Sequence, residues 1–594
     1  MTITSRPLFL MLAAVGFIII ISCQNSRRPD NITIKIIETT DIHGAIFPHD
    51  LINDEALDFS LAHIAGFVKK ERSIPGQEVI LLDNGDILQG DPLIYFYNFI
   101  KTDEPHIVSR VMNEMQYDAA TVGNHDIEPG PDVYHRIRKE FSFPWLAANA
   151  VEKNSGEPFF EPYKIIKRQG VKIAVLGLIT PAIPKWLPEN TWQGIEFQDM
   201  IESAKKWVAI IQDKEKPDLV IGLFHAGVDY TYSGQDADTP FNENASQLIA
   251  EQVPGFDVVF VGHDHKSNHK TVTNTNGDEV LILGSRNNAR QVAVATIQMN
   301  LTQGNIYAKE ISGELLEISE QKADGEFMAK FDLYLQRAKV WVVEPVAGVT
   351  SYLSTYPVLF GDAAFTDIVH QVQLDITGAD VSFTSSQSFE LEIDEGILMV
   401  RDMFKFQRYE NKLYTMTLTG QEIRDFLEYS AGLWFNQMSS ESDNMLLFRK
   451  DAEGNIALGS NSRASLANPF WNLDSAEGLI YTVDVSRPAG LRINISQFVN
   501  GNPFLLNETY SVAINSYRGN GGGGHLTIGS GIPQAELKNR ITYESEKDIR
   551  WLIIDWLKDK KTMTPLANNN WKVIPEQWTA KAAVRDRLLL FGVE

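Results

Sequence analysis

The sequence has a single cysteine, Cys23, among 594 residues. One thiol makes no internal disulfide and no cysteine-based zinc site. Positive charge is short relative to negative: 53 Lys and Arg against 77 Asp and Glu give a formal charge of −24. Such a surface repels polyphosphate backbones and argues against a stable nucleic-acid complex. It leaves room for a small phosphorylated ligand, because a local metal site inverts the field around it. Long apolar runs are missing after residue 22: no later stretch reaches the ~18 residues a membrane-spanning helix needs. Histidine is nearly missing from the second half, where only His370 and His525 occur, while the other ten of twelve precede residue 270. Histidine-based metal chemistry therefore belongs to the first half.

What is present is a globular composition, 44% hydrophobic and 22% charged, in a chain too long for one ordinary core. Two large domains are expected. The N-terminus reads Arg6, an apolar run from Leu8 to Ile21, then Ser22-Cys23. The run is short for a membrane span and sits where a signal peptide sits. Ile20-Ile21-Ser22-Cys23 resembles a lipoprotein cleavage box, which predicts a signal peptide over 1–22, lipidation at Cys23 and a tether over 23–31. The alternative is an uncleaved anchor. On the first reading the protein is exported and held at a membrane by its lipid alone, in the periplasm or at the cell surface.

From Ile32 onward, short Val- and Ile-rich runs alternate with helical stretches such as Ile201 to Glu215, the pattern of an α/β core. Five runs end in polar clusters: Asp41 and His43, Asp86, Asn124 and His125, His225, and His263 with His265. Sites on such sheets form beyond the carboxyl ends of the strands, so these clusters are predicted to meet. Taken singly, Asp-x-His or Gly-Asn-His-Asp is also an ordinary turn; the ordered set, each at a strand end, is what points to metal. Asp, His and Asn donors suit Zn²⁺, Mn²⁺ or similar ions. Seven donors exceed one tetrahedral centre and fit two, about 3.5–4 Å apart, clamping a phosphoryl group. Apolar residues three or four apart (Phe327, Phe331, Leu335, Ala338) predict a helix over Gln321 to Val340 joining the domains. After Pro345 the texture becomes α+β, with a Gly-rich loop at Gly519 to Gly524 and a tail over Pro565 to Gln577 that reads as irregular.

Asp41-x-His43, Gly85-Asp86, Gly123-Asn124-His125-Asp126, His225 and Gly262-His263-x-His265 resemble the calcineurin-like metallophosphoesterase signature. Arg408-Tyr409-Glu410-Asn411, Leu418-Thr419-Gly420 and Asn515 to Gly523 resemble the C-terminal domain of the 5′-nucleotidase and 2′,3′-cyclic-nucleotide phosphodiesterase family. The resemblance implies a four-layer αββα phosphoesterase domain over 32–318, a linker helix within 319–345 and an α+β nucleotide-binding domain over 346–594. It implies one metal set of Asp41, His43, Asp86 and His265 and another of Asp86, Asn124, His225 and His263, with Asp86 bridging.

The resemblance further implies that His125 is not a ligand. It stabilises the phosphoryl transition state or protonates the leaving oxygen, while a hydroxide bridging the ions attacks phosphorus. Glu128 is placed to orient His125, with Asp126 as the rival acid. Tyr409 and Tyr517 match positions whose rings sandwich a nucleobase, and Asn411 either bonds the base or caps its turn. Ser382 to Phe389 lacks the arginine that many 5′-nucleotidases carry in this region, so no phosphate-binding arginine carries over. The implied activity is a 2′,3′-cyclic-nucleotide 2′-phosphodiesterase and 3′-nucleotidase. The alternatives are a 5′-nucleotidase or nucleotide-sugar hydrolase, a sulfur-ester hydrolase, and a non-catalytic nucleotide-capturing lipoprotein. The sequence leaves the oligomeric state open.

Overall fold

The computed structural model describes residues 31–302, 305–459 and 461–592. The signal peptide, the lipidation site Cys23 and most of the tether lie outside the described residues. Among the described residues, no helix is long and apolar enough to cross a membrane.

The first half contributes twelve strands to two six-stranded sheets. They are β1 (Asn31–Thr39), β2 (Gln77–Asp83), β3 (Ala119–Thr121), β4 (Trp145–Leu146), β5 (Tyr163–Arg168), β6 (Val171–Ile179), β7 (Leu219–His225), β8 (Val258–Val261), β9 (Asn268–Thr273), β10 (Glu279–Gly284), β11 (Gln291–Thr302) and β12 (Asn305–Glu317). One sheet runs β12-β11-β1-β2-β3-β4 and the other β9-β10-β8-β7-β6-β5. The central strands of each are parallel, and antiparallel strands close three of the four edges. The two sheets face each other across a layer containing Ile34, Ile36, Ile80 and Leu82 from one and Ile173, Val175, Ile221, Leu223 and Phe260 from the other. Alternate residues of the same strands point outward: Leu81 and Ala120 pack under helices on one side, and Val220 and Val259 under helices Met200–Lys214 and Ser246–Gln252 on the other. Strands covered on both faces read as continuous apolar runs, as these do. The result is the four-layer αββα domain.

The linking helix spans Gly325–Val342, with the Asp324 side chain capping it by accepting from Phe327 N at 2.8 Å. Its buried stripe belongs to both halves. Phe327 packs on Phe47 of the first domain, while Trp341 stacks on Tyr95 of the first and meets Phe404 of the second edge-on.

The second domain is built on a five-stranded mixed sheet: β13 (Val381–Thr384), β14 (Lys412–Thr419), β15 (Ser475–Glu477), β16 (Thr509–Asn515) and β17 (Ile541–Asp548), in the order β15-β13-β16-β14-β17. Helices Ala364–Thr377 and Gly420–Trp434 pack against it, giving the expected α+β arrangement. The tail is more regular than its sequence suggests. Trp571–Ile574 forms a strand parallel to Leu479–Asp484, and a helix runs over Glu576–Phe591. Four residues closed by Pro575 carry too short an alternation to read as a strand.

Candidate active site

The carboxyl ends of β1, β2, β3, β7 and β8 meet along one edge and deliver all seven candidate donors there. The donor atoms of Asp41, His43 and His265 form one group, and those of Asp86, His225 and His263 a second, each within 4.8 Å. Asn124 joins the second: its Oδ1 lies 3.1 Å from His225 Nε2 and 2.9 Å from His263 Nδ1. Asp41, Asp86 and His225 are essentially inaccessible, whereas the His265 side chain is 40% exposed.

The local chain is bent unusually to achieve this. Five of the seven donors are non-glycine residues with left-handed backbones: Asp41 (φ 50°), His43 (φ 47°), Asp86 (φ 60°), His263 (φ 74°) and His265 (φ 57°). Each costs on the order of 1 kcal/mol or more and persists only where neighbours over-determine it. Here the neighbours are backbone bonds between ligand loops: Asp41 N to Gly85 O and His43 N to Asp86 O, both 2.9 Å, and Asn288 N to Asp41 O, 2.8 Å. Asp126 supplies a further tie. Its carboxylate accepts from the amides of Asp86, Ile87, Leu88 and Gly123 at 2.8–3.1 Å. Two motif glycines make room: a Cβ on Gly123 would stand 2.1 Å from Asp86 Oδ1, and one on Gly262 2.2 Å from Thr40 Oγ1.

The donor set fits divalent cations. His43 Nδ1 lies 3.1 Å from the Gln89 carbonyl and His225 Nδ1 2.6 Å from the Asn84 carbonyl, contacts that only an N–H satisfies. Both Nε2 lone pairs therefore point into the site. The His43 one faces His265 Nε2 at 3.0 Å. The His225 one faces Asp86 Oδ2 at 3.1 Å, and that buried oxygen has no hydrogen-bond donor among the described residues. Converging lone pairs and an orphaned buried carboxylate oxygen are what a cation resolves. His263 presents Nδ1 to Asn124, while its Nε2 faces Glu243 Oε1 at 3.3 Å and its ring stacks on Trp186. Asp86 sits in the second group, where its carboxylate meets His225 and the His125 amide.

His125 stands beside the donors rather than among them. Its backbone N–H donates to Asp86 Oδ1 at 2.7 Å, and its Nδ1 pairs with Glu128 Oε2. Burial opposes its charge, but the carboxylates of Asp86 and Glu128 outweigh burial and lift it to about 9. Cations held alongside would pull that value down. The geometry separates the two acids left open by the sequence: Glu128 contacts the His125 ring, whereas both oxygens of Asp126 are taken by backbone amides.

A cavity of about 830 Å³ runs from Asn124, His125 and His263 to Tyr409, Asn411 and Tyr517 in the second domain. The Tyr409 ring lies nearly parallel to that of His125, centroids 6.1 Å apart. Tyr517 follows the Asn515 cap of a short helix whose Arg518 is buried against Asp474 and the Gly522 carbonyl, fixing the Gly-rich loop at the cavity wall. Asn411 lines the cavity; its backbone O accepts from Ile549 N at 2.8 Å and its Oδ1 from Ser516 Oγ at 3.4 Å. Sequence reasoning missed Trp186, Glu243 and Gln387, which also line it. Trp186 sits in a Pro-rich loop and Glu243 in an Asn-rich one, and neither lies at a strand end, so no pattern pointed to them.

Residues 34–267 match the calcineurin-like phosphoesterase model and residues 345–528 the 5′-nucleotidase C-terminal domain model. The trifunctional nucleotide phosphoesterase protein YfkN of Bacillus subtilis is 27% identical over 94% of this chain, which spans 40% of that relative. The 2′,3′-cyclic-nucleotide 2′-phosphodiesterase/3′-nucleotidase of Yersinia enterocolitica is 25% identical over 96% of this chain and 92% of its own. The fold is shared with the 5′-nucleotidase precursor of Thermus thermophilus, at a TM-score of 0.60 and 20% identity over 92% of this chain and 100% of the other. With the donor groups and both family matches in place, the chain is a calcineurin-like metallophosphoesterase related to the 5′-nucleotidase and 2′,3′-cyclic-nucleotide phosphodiesterase family.

Proposed function

We propose that the protein hydrolyses nucleotide phosphoesters with two divalent cations, opening 2′,3′-cyclic nucleotides and then removing the 3′-phosphate. The observation that carries this reading is a single cavity running from Asn124 and His263 of the second donor group and His125 to Tyr409 and Tyr517, with the His43 ring of the first group 5.4 Å from that of His125. Asp41, His43 and His265 would hold one cation, and Asp86, Asn124, His225 and His263 the other, with Asp86 available to both. When bound, the pair supplies an activated water and offsets charge on the phosphoryl oxygens.

The remaining steps belong to the chain's own residues. His125, its Nδ1 held by Glu128, donates toward the phosphoryl or leaving oxygen as charge develops there. Glu128 fixes which ring nitrogen faces the substrate: by taking Nδ1–H, it leaves Nε2–H for the reaction. The imidazole then regains its proton from water after product departs. Tyr409 and Tyr517 grip the base through their faces, which tolerates many bases and contributes on the order of 1–3 kcal/mol per stacked base. Asp126 acts on the Asp86 loop rather than on substrate. The names of the Yersinia and related matches, which pair cyclic phosphodiesterase with 3′-nucleotidase, support this order of activities over a 5′-nucleotidase.

Purified residues 24–594, reconstituted with Zn²⁺ or Mn²⁺, are expected to turn over 2′,3′-cyclic AMP and 3′-AMP faster than 5′-AMP, and to lose activity on chelation. No turnover of any nucleotide after reconstitution rejects the reading; faster turnover of 5′-AMP replaces it with the 5′-nucleotidase. The reading includes export and lipid anchoring at Cys23, which rest on residues 6–23 alone. Cys23→Ser is expected to move the protein out of the membrane fraction, and its retention there defeats the anchor.

A further inference from the structure

The loop that follows Asp86 does two things at once. Gln89, 3% exposed, uses its carbonyl to accept from His43 Nδ1 at 3.1 Å, which orients a donor of the first group. Its side chain reaches the other way, and Nε2 donates to the Arg408 carbonyl of the second domain at 3.2 Å. Arg408 directly precedes Tyr409, whose ring lies alongside His125. One residue therefore contacts both the donor set and the segment carrying the proposed base platform, without touching the cavity itself.

The surroundings make this a rigid link. Gly90 (φ 122°) presses on His43, where a Cβ would come within 2.8 Å of its carbonyl, and Asp91 N donates to that same carbonyl at 3.1 Å. Across the domain boundary, Arg550 takes the Arg408 carbonyl at 2.8 Å and Glu410 Oε1 at 3.0 Å, holding the segment on both sides of Tyr409. The Arg550 guanidinium lies over the ring of Tyr95, six residues after Gln89, and the Tyr95 hydroxyl donates to Asp548 at 2.7 Å. The loop from Asp86 to Tyr95 is thus bonded to a metal donor at one end and to the second domain along its length.

We propose that Gln89 is a positioning residue: through its side-chain bond to Arg408 it sets Tyr409 at a fixed place relative to the donor groups, so that a nucleoside held on Tyr409 presents its phosphorus to the cations. The proposal rests on the nucleotide reading above. It differs from that reading in predicting which contact couples grip to chemistry, and it applies to a substrate only so far as that substrate has a base to hold.

The test uses the full chain with both cations bound and two variants. Gln89→Met keeps the length and removes the donor; Gln89→Glu turns an acceptor toward the Arg408 carbonyl. The substrates are 2′,3′-cyclic AMP or 3′-AMP and glycerol 2-phosphate, a secondary-alcohol monoester with no ring. One net hydrogen bond corresponds to roughly a two- to tenfold effect, so the ratio of kcat/KM on nucleotide to kcat/KM on glycerol 2-phosphate is expected to fall by about that factor in Gln89→Met. It is expected to fall further in Gln89→Glu, with two ions per chain retained in both. Amide hydrogen exchange over residues 404–411 is expected to quicken in both variants, with β1 to β3 unchanged. Equal loss on both substrates, or loss of metal, overturns the proposal, because Gln89 then acts only through His43. Unchanged exchange over 404–411 overturns it whatever the substrate. A wild-type chain that cleaves glycerol 2-phosphate but no nucleotide fails the functional reading instead, and the exchange result still decides the role of Gln89.

Discussion

Asp126→Asn separates a loop-positioning role for Asp126 from a chemical one. Each Asp126 oxygen accepts two amides: Oδ1 those of Ile87 and Leu88, Oδ2 those of Asp86 and Gly123. Asparagine keeps one oxygen and turns an NH₂ toward the other pair. At about 1.5–3 kcal/mol for each hydrogen bond to a charged acceptor, losing two costs roughly 3–6 kcal/mol in a buried knot. The amides concerned are those of Ile87 and Leu88, or of Asp86 and Gly123, so the strain falls on the two residues after the left-handed Asp86, or on Asp86 itself and the residue before Asn124. Disturbing the support of a metal ligand typically costs about 10- to 100-fold in metal affinity. Titrating the metal-free variant with Mn²⁺ by calorimetry, and by activity, is expected to show weakened binding at one of two sites, with kcat recovering to within a few-fold of wild type at saturating metal. His125 and Glu128 are untouched, so the chemistry is preserved once the ions are seated. Unchanged metal affinity with kcat down more than about 100-fold would refute the reasoning and make Asp126 a participant in proton transfer.

His125→Asn is expected to lower kcat by about 10²–10⁴ with metal content unchanged, as measured by single-turnover kinetics and elemental analysis; a surviving kcat would remove His125 from the chemistry. Tyr409→Ala is expected to raise KM for nucleotides by about 5- to 150-fold, the equivalent of 1–3 kcal/mol of stacking, and to leave glycerol 2-phosphate far less affected. Removing the cations with a chelator is expected to lower the unfolding midpoint of the first domain. Each site at 100-fold excess metal over Kd is worth about 2.7 kcal/mol, hence several degrees in scanning calorimetry. Buried His370 is expected to weaken the second domain in acid. Burial between the Ser382 and Ser475 hydroxyls lowers His370 to about 3, so below pH 6.5 the unfolded chain takes a proton that the folded one refuses. The His370 contribution then falls by about 1.4 kcal/mol per pH unit between about 6.5 and 3, read as the difference between wild type and His370→Gln, and a midpoint difference between the two that holds steady from pH 7 to pH 5 would contradict it.

What the sequence revealed of this site, and what it hid, divides along the backbone. The donors were legible because each terminates an apolar run, and strand ends of two facing sheets converge on one edge whatever the helices do. The linking helix was legible from Phe327, Phe331, Leu335 and Ala338, although it begins four residues later than their pattern suggested, where Asp324 caps it. The supports were not legible. The choice between Glu128 and Asp126 depends on the turn after β3: helical geometry at Asn124–Ile127 carries His125 Nδ1 toward residue 128 and leaves Asp126 under its own loop, accepting the Gly123 amide. Two acids one and three residues from a histidine look alike until that turn is fixed. Glu243 and Trp186 back His263 from loops whose course is set by tertiary packing, and Gln89 is an ordinary polar residue after a ligand motif until Arg408 arrives from 319 positions away. Left-handed φ at five donors is hidden for the same reason. Aspartate and histidine adopt it more readily than most side chains, but only in a small minority of cases, and here the bonds from neighbouring loops hold them there. The strain and its supports therefore arise together, in the assembled edge, and metal binding is expected to be lost when either is removed.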